Sequence, residues 1–440
     1  MLHRIPSDPK LAPMVQAIEA CTHCGLCLPA CPTFAETRRE AESPRGRIAL
    51  MQLGLEQGAP LSEIQPHLDA CIRCRACEPA CPAQVPYHDL LLRYQDHTRS
   101  RGRPSAGSPI LRSVLQTALP HAGWFRFFAA GASLVRPFRE FLGEPARAAL
   151  DFLPHPLPPR RDLPTAYAGR GERKGIVALL PGCVASVLEP GIAQAAVEIL
   201  TRNGFDVLLP DRPSCCGAVL LSLDDPEGAR RAATAYLDWL PAGLAAVVST
   251  SAFCAAGLKD YPLLFAGTAR EEKSRWVAAH ALDVCAFLDS VDHRPLPPLE
   301  EPVRAAYHEA CHLRRTPGFA DPARKLLRQV SGLELTELEE PEICCGASGV
   351  YPIFESDIAK RLGRRRLRAF EKTGAQILIS GDPGCIAQLR HHAAVAGEPV
   401  TILHTSEVLA RAYLRQPLIP AKQPKNHAVA HQRSTLPEKK

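Results

Sequence analysis

Two cysteine runs near the N-terminus have the residue types and the spacing of metal ligands. Each run follows the pattern C-x2-C-x2-C-x3-C-P. The eight cysteines are Cys21, Cys24, Cys27 and Cys31, then Cys71, Cys74, Cys77 and Cys81. Three evenly spaced thiolates and a fourth before proline suit the corners of a [4Fe–4S] cube. Structural zinc sites use two separated pairs, and residues so close in sequence cannot easily form disulfides. The runs therefore predict iron–sulfur ligation.

The same spacing resembles that of bacterial ferredoxins, in which the fourth cysteine of each run ligates the other cluster. The resemblance implies that one cluster is held by Cys21, Cys24, Cys27 and Cys81. It implies that a second cluster is held by Cys71, Cys74, Cys77 and Cys31. A chain with two such clusters is expected to transfer electrons.

The region after residue 174 contains a second set of cysteines, arranged as two similar halves. The first half has Cys183, Cys215, Cys216 and Cys254, and the second has Cys311, Cys344, Cys345 and Cys385. Equivalent cysteines are separated by a nearly constant interval along the chain, which indicates a duplication. A further cysteine, Cys285, takes the place of a leucine when His280 is aligned with His404. It is expected to be a small buried apolar residue.

Each cysteine of this second set follows a predicted strand and precedes a predicted helix. Because the carboxyl ends of parallel strands meet at one edge of a sheet, the four thiols of each half should lie together. Helix N-termini there stabilise thiolates. Gly217 and Gly346 follow the paired cysteines and permit a tight turn. Two further metal sites are predicted, each suited to an iron–sulfur cluster or to zinc.

Other polar residues beside the cysteines are not predicted to be ligands. The histidines concerned are His280, His308, His312 and His404, and each is expected to donate a hydrogen bond or to begin a helix. Arg73 and Arg75 lie inside the second run, where positive charge would raise a cluster potential, although solvated arginines fit the same positions. No dinucleotide fingerprint, phosphate loop or nucleophile elbow is found, so no catalytic residue is predicted.

The cysteine pattern of each half resembles the CCG domain of heterodisulfide reductase subunits and flavin-linked dehydrogenases. A ferredoxin domain followed by two CCG repeats is similar to the glycolate oxidase iron–sulfur subunit family and to the anaerobic glycerol-3-phosphate dehydrogenase subunit. Residues 43–48, 68–78 and 86–91 resemble the first of these. The heterodisulfide reductase version carries a fifth cysteine, whereas this chain has Ser251 and Asp382 at those positions. Disulfide chemistry is therefore the less favoured alternative.

The resemblance implies an iron–sulfur electron-transfer subunit of a flavin-dependent complex that oxidises a 2-hydroxy acid, glycolate first among them. FAD would be bound by partner dehydrogenase subunits, and the acceptor would be a quinone or a similar molecule. Three alternatives stay open: a catalytic thiol–disulfide reductase, a subunit of glycerol-3-phosphate dehydrogenase, and a zinc-bound docking platform. The net charge of +6 is spread along the chain and gives no indication of nucleic-acid binding.

The elements that must position these cysteines divide into five segments. They are a helical di-cluster ferredoxin domain (1–100), a helical segment with a proline-rich linker (101–173), two α/β CCG repeats (174–300 and 301–415) and a disordered basic tail (416–440). The predicted fold class is α plus α/β: a helical ferredoxin-like domain followed by a duplicated CCG domain with parallel sheets. Strands are predicted at 175–180, 206–209, 245–249, 304–307, 377–380 and 400–403.

Within the segment 105–153, Trp124, Phe125, Phe127 and Phe128 are concentrated in one short stretch, with arginines nearby. An amphipathic helix packed on its own protein is favoured over a docking surface for a partner or a membrane. Neither a signal peptide nor an apolar stretch long enough to cross a bilayer is found. A cytoplasmic location is expected, and peripheral contact with the inner face of the cytoplasmic membrane is compatible with it.

Overall fold

A computed structural model describes residues 11–99, 108–211 and 215–419, and its first part is helical. The helices are α1 (Ala12–Glu19), α2 (Pro32–Thr37), α3 (Pro44–Glu56), α4 (Leu61–Asp69) and α5 (Tyr87–Arg99). Helix α3 begins where Ser43 accepts a hydrogen bond from the Gly46 backbone N–H at 3.0 Å, with Pro44 in the first turn. The two cysteine runs occupy the turns between α1 and α2 and between α4 and α5.

A middle segment connects this helical part to the α/β region. It contains α6 (Pro109–Ala118), α7 (Ala122–Val135) and α8 (Glu144–Phe152). Phe125 and Ala129 of α7 are buried in a cluster that includes Cys183 and Cys215. The helix therefore packs on its own protein, as predicted. Its other face leaves Trp124 and Phe127 exposed.

The first α/β repeat is built around a five-stranded sheet. Its elements are β1 (Ala166–Tyr167), β2 (Gly175–Leu180), α9 (Ala185–Leu188), α10 (Pro190–Arg202), β3 (Phe205–Leu208), α11 (Ala218–Ser222), α12 (Pro226–Trp239), β4 (Ala246–Ser249), α13 (Ala252–Lys259), α14 (Tyr261–Phe265), α15 (Glu271–His280), β5 (Ala281–Asp283) and α16 (Val284–Asp289). The strand order is β1-β3-β2-β4-β5. Only β1 pairs antiparallel, at the edge beside β3.

The second repeat is built around a four-stranded parallel sheet. Its elements are β6 (Val303–His308), α17 (Cys311–Arg315), α18 (Pro322–Gln329), β7 (Leu333–Glu337), α19 (Tyr351–Phe354), α20 (Ser356–Glu371), β8 (Ile377–Ser380), α21 (Pro383–Ala396), β9 (Thr401–His404) and α22 (Thr405–Leu414). The order β7-β6-β8-β9 reproduces β3-β2-β4-β5 of the first repeat. The duplication and the fold class are confirmed.

The six predicted strands are present, and their observed ends lie at or next to the predicted ones. Among the residues that the structure describes, three further strands, β1, β5 and β7, were not predicted. β1 and β5 are too short to show the alternation of apolar and polar residues by which a strand is recognised in a sequence. The third reads Leu-Glu-Leu-Thr-Glu and is only partly buried at a sheet edge, so it lacks the continuous apolar run of a central strand.

One alignment between the repeats was wrong. Ser249 pairs with Asp283 across β4 and β5, and Ser380 pairs with His404 across β8 and β9. His404 therefore corresponds to Asp283 and not to His280, because the chain between the last cysteine and the last strand differs in length between the repeats. Both residues cap the helix that follows. Cys285 is fully buried in the apolar core, as predicted.

The two repeats share one apolar core. Val177, Leu179 and Val284 of the first repeat lie in the same buried cluster as Ala305 and Leu409 of the second. Fully burying aliphatic side chains of this size contributes roughly 1.5–3 kcal/mol each, so the repeats should form one unit. The segment limits drawn from the sequence remain predictions, and the tail predicted as disordered lies beyond the described residues from position 420 onward. No helix in the described ranges is long and apolar enough to cross a membrane.

Candidate metal centres

The first cavity in the helical part brings together cysteines from both runs. It is lined by Cys21, Cys24 and Cys27 of the first run and by Cys77 and Cys81 of the second. Arg45 lines the same cavity, and its guanidinium donates to the His23 carbonyl oxygen at 3.0 Å. Cys77 lines the second cavity as well, whereas Cys81 lines only this one of the two, and Cys81 is the fourth cysteine that the ferredoxin resemblance implies. Ligation by this set stays a prediction.

The second cavity has the reciprocal composition. It is lined by Cys71, Cys74 and Cys77 and by Cys31 of the first run. The Arg73 backbone N–H donates to Cys71 Sγ at 3.4 Å, a bond of the kind that stabilises sulfur carrying negative charge. Burial raises the pKa of Cys74 to about 12, so a cation at this site would be needed to hold the thiolate. These four thiols fit a thiolate-ligated cluster.

A buried arginine beside the second cavity was not found by sequence reasoning. Arg47 is 1% exposed and forms an ion pair with Glu42 at 3.0 Å. Burial opposes its charge, yet the pKa of Arg47 is raised above its ordinary value, chiefly by Cys71, Tyr87 and Cys31. Each cavity thus has one arginine from residues 43–48. In the sequence, only the resemblance of residues 43–48 to a known family could have indicated a role for Arg47.

The first α/β repeat gathers its four cysteines at the carboxyl ends of its strands. All four are buried: Cys183, Cys215, Cys216 and Cys254. Hydrogen bonds from Cys215 and Cys254 lower the pKa of Cys216 well below its usual value. Cys183 in turn bonds to Cys215, so the four thiols form one connected group. A thiolate among neighbouring thiols is the form that ligates metal.

The second repeat gathers Cys311, Cys344, Cys345 and Cys385 in the same way, and all are buried. Cys311 Sγ lies 3.9 Å from Cys344 Sγ. Hydrogen bonds from Cys311 and Cys345 lower the pKa of Cys344 well below its usual value. Cys345 also bonds to Cys385, which completes the group. The predicted convergence of four thiols therefore occurs in both repeats.

The glycine after each cysteine pair has the conformation that was expected of it. Gly217 has a φ of 89° and Gly346 a φ of 85°. The Gly217 N–H donates to Cys215 Sγ at 3.3 Å, and the Gly346 N–H donates to Cys344 Sγ at the same distance. A Cβ at Gly217 would lie 2.7 Å from the Ala229 carbonyl oxygen. A larger residue would therefore displace the turn and this hydrogen bond.

The positions of the absent fifth cysteines contact one another across the two repeats. Ser251 Oγ donates to Asp382 Oδ2 at 2.8 Å, and the Phe253 N–H donates to the same oxygen at 3.0 Å. Both residues also cap the helix that carries the last cysteine of their repeat, through Cys254 N and Cys385 N. They connect the repeats and supply no thiol.

Three of the four histidines singled out in the sequence lie in buried surroundings. His404 caps α22 by accepting from the Ser406 N–H, and His312 lies 3.6 Å from Cys311 Sγ through Nδ1. Burial lowers the pKa of His312 to about 4 and that of His308 to about 3. His308 faces Cys345 and Cys385. His280, the fourth, is partly exposed and bonds to the Trp276 carbonyl at the end of α15.

The second cavity of the helical part packs directly against the cysteines of the second repeat. Cys74 lies in one buried cluster with Cys311 and Cys344. Arg315 lies between them, and its guanidinium donates to the Cys74 carbonyl oxygen at 3.5 Å. Burial opposes its charge, but Cys74, Cys311 and Cys344 together raise the pKa of Arg315. A guanidinium there offsets negative charge in both groups of thiols.

The helical part also contacts the first repeat through charged side chains. Arg75 forms an ion pair with Asp260, and His88 Nε2 lies 3.1 Å from the same carboxylate. Burial raises the pKa of Asp260, but His88 and Arg75 outweigh it and the net shift is downward. Arg75 is therefore an interface residue, whereas Arg73 donates to Gln95 within the helical part. The spacing of Arg73 and Arg75 in the sequence could not show that one contacts the first repeat and the other does not.

Family models match three stretches of the chain. A 4Fe-4S dicluster domain matches residues 17–85, and a cysteine-rich domain matches residues 177–259 and 305–390. These stretches contain the cysteines of both cavities and of both repeats. The match supports iron–sulfur clusters in this chain.

Several known proteins are similar to the chain. The glycolate oxidase iron–sulfur subunit of Escherichia coli is 31% identical over 400 residues, covering 90% of this chain and 94% of that protein. The probable glycolate oxidase iron–sulfur subunit of Bacillus subtilis is 28% identical over 419 residues, covering 89% and 93%. Lactate utilization protein A of Geobacillus thermodenitrificans is 30% identical over 238 residues, covering 53% of this chain and 98% of its own length.

Proposed function

The chain belongs to the family of glycolate oxidase iron–sulfur subunits, and from this we propose that it carries electrons from a partner flavoprotein to a quinone-type acceptor. Glycolate, or a closely related 2-hydroxy acid, would be the substrate of the complex. The flavin and the substrate would be bound by partner subunits. The chain is then the electron-transfer component of an oxidoreductase.

One observation carries this proposal. The second cavity and the cysteines of the second repeat share a single buried cluster through Cys74, Cys311 and Cys344. Iron–sulfur clusters, when bound, supply one-electron oxidation and reduction at potentials set by charge, hydrogen bonds and exposure. Adjacent thiol groups in a continuous apolar environment suit electron transfer between centres.

The chain's own residues hold the two thiol groups in this arrangement. Tyr351 donates its hydroxyl to the Ala70 carbonyl oxygen at 3.1 Å, and Arg365 pairs with Glu36 at 3.0 Å. Together with Arg315 and Arg75 they attach the helical part to both repeats. A fixed separation between centres is what a rapid relay requires, because electron transfer slows steeply with distance.

The disulfide-reductase alternative has less support. The extra thiol of that chemistry would lie at Ser251 or Asp382, and both side chains are occupied in a contact between the repeats. The zinc-platform alternative concerns the metal in the CCG repeats and is compatible with buried thiols. Neither alternative accounts for the packing of Cys74 against the second repeat.

The proposal is tested with the holoprotein and its partner flavoprotein. The chain alone is expected not to oxidise glycolate, whereas the reconstituted complex should reduce a quinone analogue. Cys344→Ala should lower that rate by about tenfold or more, because Cys344 bonds to two neighbouring thiols of the second repeat. Cys285→Ala is the matched control, since it removes a buried thiol that belongs to neither repeat's cysteine group.

Two outcomes would contradict the proposal. Full glycolate oxidation by the chain alone would place the substrate site here. Reduction of a disulfide substrate by the wild type, lost in Cys344→Ala, would favour the thiol–disulfide alternative.

The exposed face of α7 and the turn that follows it give a further indication of where the subunit works. We call Trp124, Phe127, Phe128, Phe138 and Phe141 the aromatic surface. Trp124 is 55% exposed, Phe127 67% and Phe141 88%. The rings of Trp124, Phe127 and Phe128 contact one another, with centroids 5.6 to 6.1 Å apart.

We propose that this surface rests on the headgroup region of an anionic membrane. Tryptophan and phenylalanine beside cationic side chains are typical of interfacial segments. Arg139, from the same segment as Phe138 and Phe141, has a side chain that is 50% exposed and lies 3.5 Å from Asp151, with which it forms an ion pair. The opposite face of α7 packs over the cluster that contains Cys183 and Cys215, so membrane contact would bring the first repeat near a lipid-soluble acceptor.

Vesicle co-sedimentation tests this surface. The triple variant Trp124→Ser, Phe127→Ser, Phe141→Ser should bind vesicles of phosphatidylglycerol and phosphatidylcholine about tenfold more weakly than the wild type. Val395→Ser is the control, because Val395 is 62% exposed and lies on α21. Equal binding of the triple variant and the wild type would refute the membrane contact. So would binding of the surface to the flavoprotein without any binding to vesicles.

A further inference from the structure

His308 is a buried histidine with no visible structural purpose. It is the last residue of β6 and is 1% exposed. Neither ring nitrogen, Nδ1 or Nε2, has a hydrogen-bond partner among the described residues. Burying a polar group without a partner costs free energy, so such groups in proteins usually have a ligand or a functional role.

The ring of His308 is directed at two cysteines of the second repeat. A ligating nitrogen of His308, Cys345 Sγ and Cys385 Sγ all lie within 4.8 Å of one another, and all three residues are buried. Cys345 bonds to Cys344, which contacts Cys311. The imidazole therefore lies against the connected thiol group of this repeat and could reach the same metal.

The first repeat provides an internal comparison. Leu180 pairs with Ser249 at the end of β2, and His308 pairs with Ser380 at the end of β6. These are equivalent places in the two sheets. Leu180 is fully buried, and its side chain contains no polar atom. The fold therefore accepts an apolar side chain at this position, and the histidine of the second repeat is not required for packing.

We propose that His308 is a metal ligand, so that the second repeat holds an iron–sulfur cluster bound by one imidazole and by thiolates. The first repeat would hold its metal through thiolates alone. The inference rests on the proposed function only in placing a redox centre in the second repeat. The sequence did not predict His308 as a ligand, because its spacing from Cys311 matches no common ligand motif.

A cluster fits the donors better than a zinc ion does. A structural zinc ion gathers its four ligands around a single atom, whereas the candidate donors of this pocket form a wider group: His308, Cys311, Cys344, Cys345 and Cys385. A cluster presents several iron atoms and can use donors spread over a wider space. The contact with Cys74 also suits an electron carrier.

A neutral imidazole in place of a thiolate removes one negative charge from a cluster and raises its reduction potential. The centre of the second repeat is therefore expected to be easier to reduce than that of the first. The two repeats, although duplicated, would differ in potential.

Pulsed electron paramagnetic resonance of the holoprotein labelled with [15N]histidine tests the inference. The wild type should show a 15N coupling to a reduced cluster, and His308→Leu should lose it completely. His308→Cys is a second variant, in case the leucine variant loses its cluster. It should keep a cluster, lack the nitrogen coupling and have a lower reduction potential.

His404→Asn is the control, because His404 is equally buried but caps a helix through Nδ1. It should retain the coupling. Three results would overturn the inference: no histidine coupling in the wild type, a coupling that survives in His308→Leu, or zinc in place of iron in the second repeat. The first two results leave glycolate-dependent reduction by the complex unaffected, so this test and that of the proposed function can fail separately.

Discussion

Cys81→Ser is expected to abolish the metal centre of the first cavity and to leave that of the second cavity in place. Although Cys81 belongs to the second cysteine run, it lines the cavity formed by Cys21, Cys24 and Cys27. Its loss should remove about four iron atoms per chain, the content of one [4Fe–4S] cluster. Glycolate-dependent reduction of a quinone analogue should fall by about tenfold or more, because the relay would lose a member.

Iron analysis and electron paramagnetic resonance of the reduced protein measure this effect. Cys31→Ser is the reciprocal variant and should remove the second centre, since Cys31 lies with Cys71, Cys74 and Cys77. Cys285→Ser, at a buried cysteine in the apolar core, should leave the iron content unchanged. The exchange of fourth cysteines would be refuted if Cys81→Ser removed the signal that Cys71→Ser also removes.

Arg47→Met is expected to destabilise the helical part by roughly 3–5 kcal/mol, as is usual when one partner of a buried ion pair is removed. Arg47 pairs with Glu42, and the two side chains are 1% and 8% exposed. Its guanidinium also donates to Thr33 Oγ1 at 3.1 Å and to the His67 carbonyl oxygen at 2.6 Å. His67 keeps a contact with Glu42, so the lower end of the range is expected.

Arg45→Met provides a matched control within the same short segment. Arg45 pairs with Glu40, but these side chains are 32% and 52% exposed. Such exposed pairs contribute about 0–1 kcal/mol. Anaerobic urea unfolding followed by cluster absorbance compares the variants. The double variant Arg47→Met, Glu42→Gln should recover part of the loss, because no buried charge is then left alone. Equal midpoints for Arg47→Met and Arg45→Met would show that burial does not distinguish the two arginines.

Much of the site could be predicted because metal ligation imposes local spacing. The cysteine runs and the duplicated CCG triplets reflect short-range geometry, because the residues concerned lie close together in the sequence. The same holds for Gly217 and Gly346, where a turn next to a thiol demands a left-handed backbone. Strands that are central and apolar were also predictable, whereas β5 and β7 were not, since they are short or half-exposed.

The functions of the charged residues depended on contacts between distant parts of the chain. Arg73 and Arg75 are close neighbours in sequence, yet one bonds to Gln95 and the other pairs with Asp260, far along the chain. Arg315 and Cys74 are equally remote in sequence and adjacent in space. Long charged side chains fit many environments, so only the packing of the helical part against the repeats selects a partner for each.

The sequence by itself determined that this protein is a cysteine-rich iron–sulfur protein with two ferredoxin-type runs and two CCG repeats, because thiol spacing and duplication are properties of the chain. The tertiary structure alone decided which thiol groups are neighbours. It placed Cys74 against Cys311 and Cys344, and it turned His308 toward Cys345 and Cys385 while Leu180 occupies the equivalent place. Such contacts arise from how separate units pack together, and no local pattern encodes them.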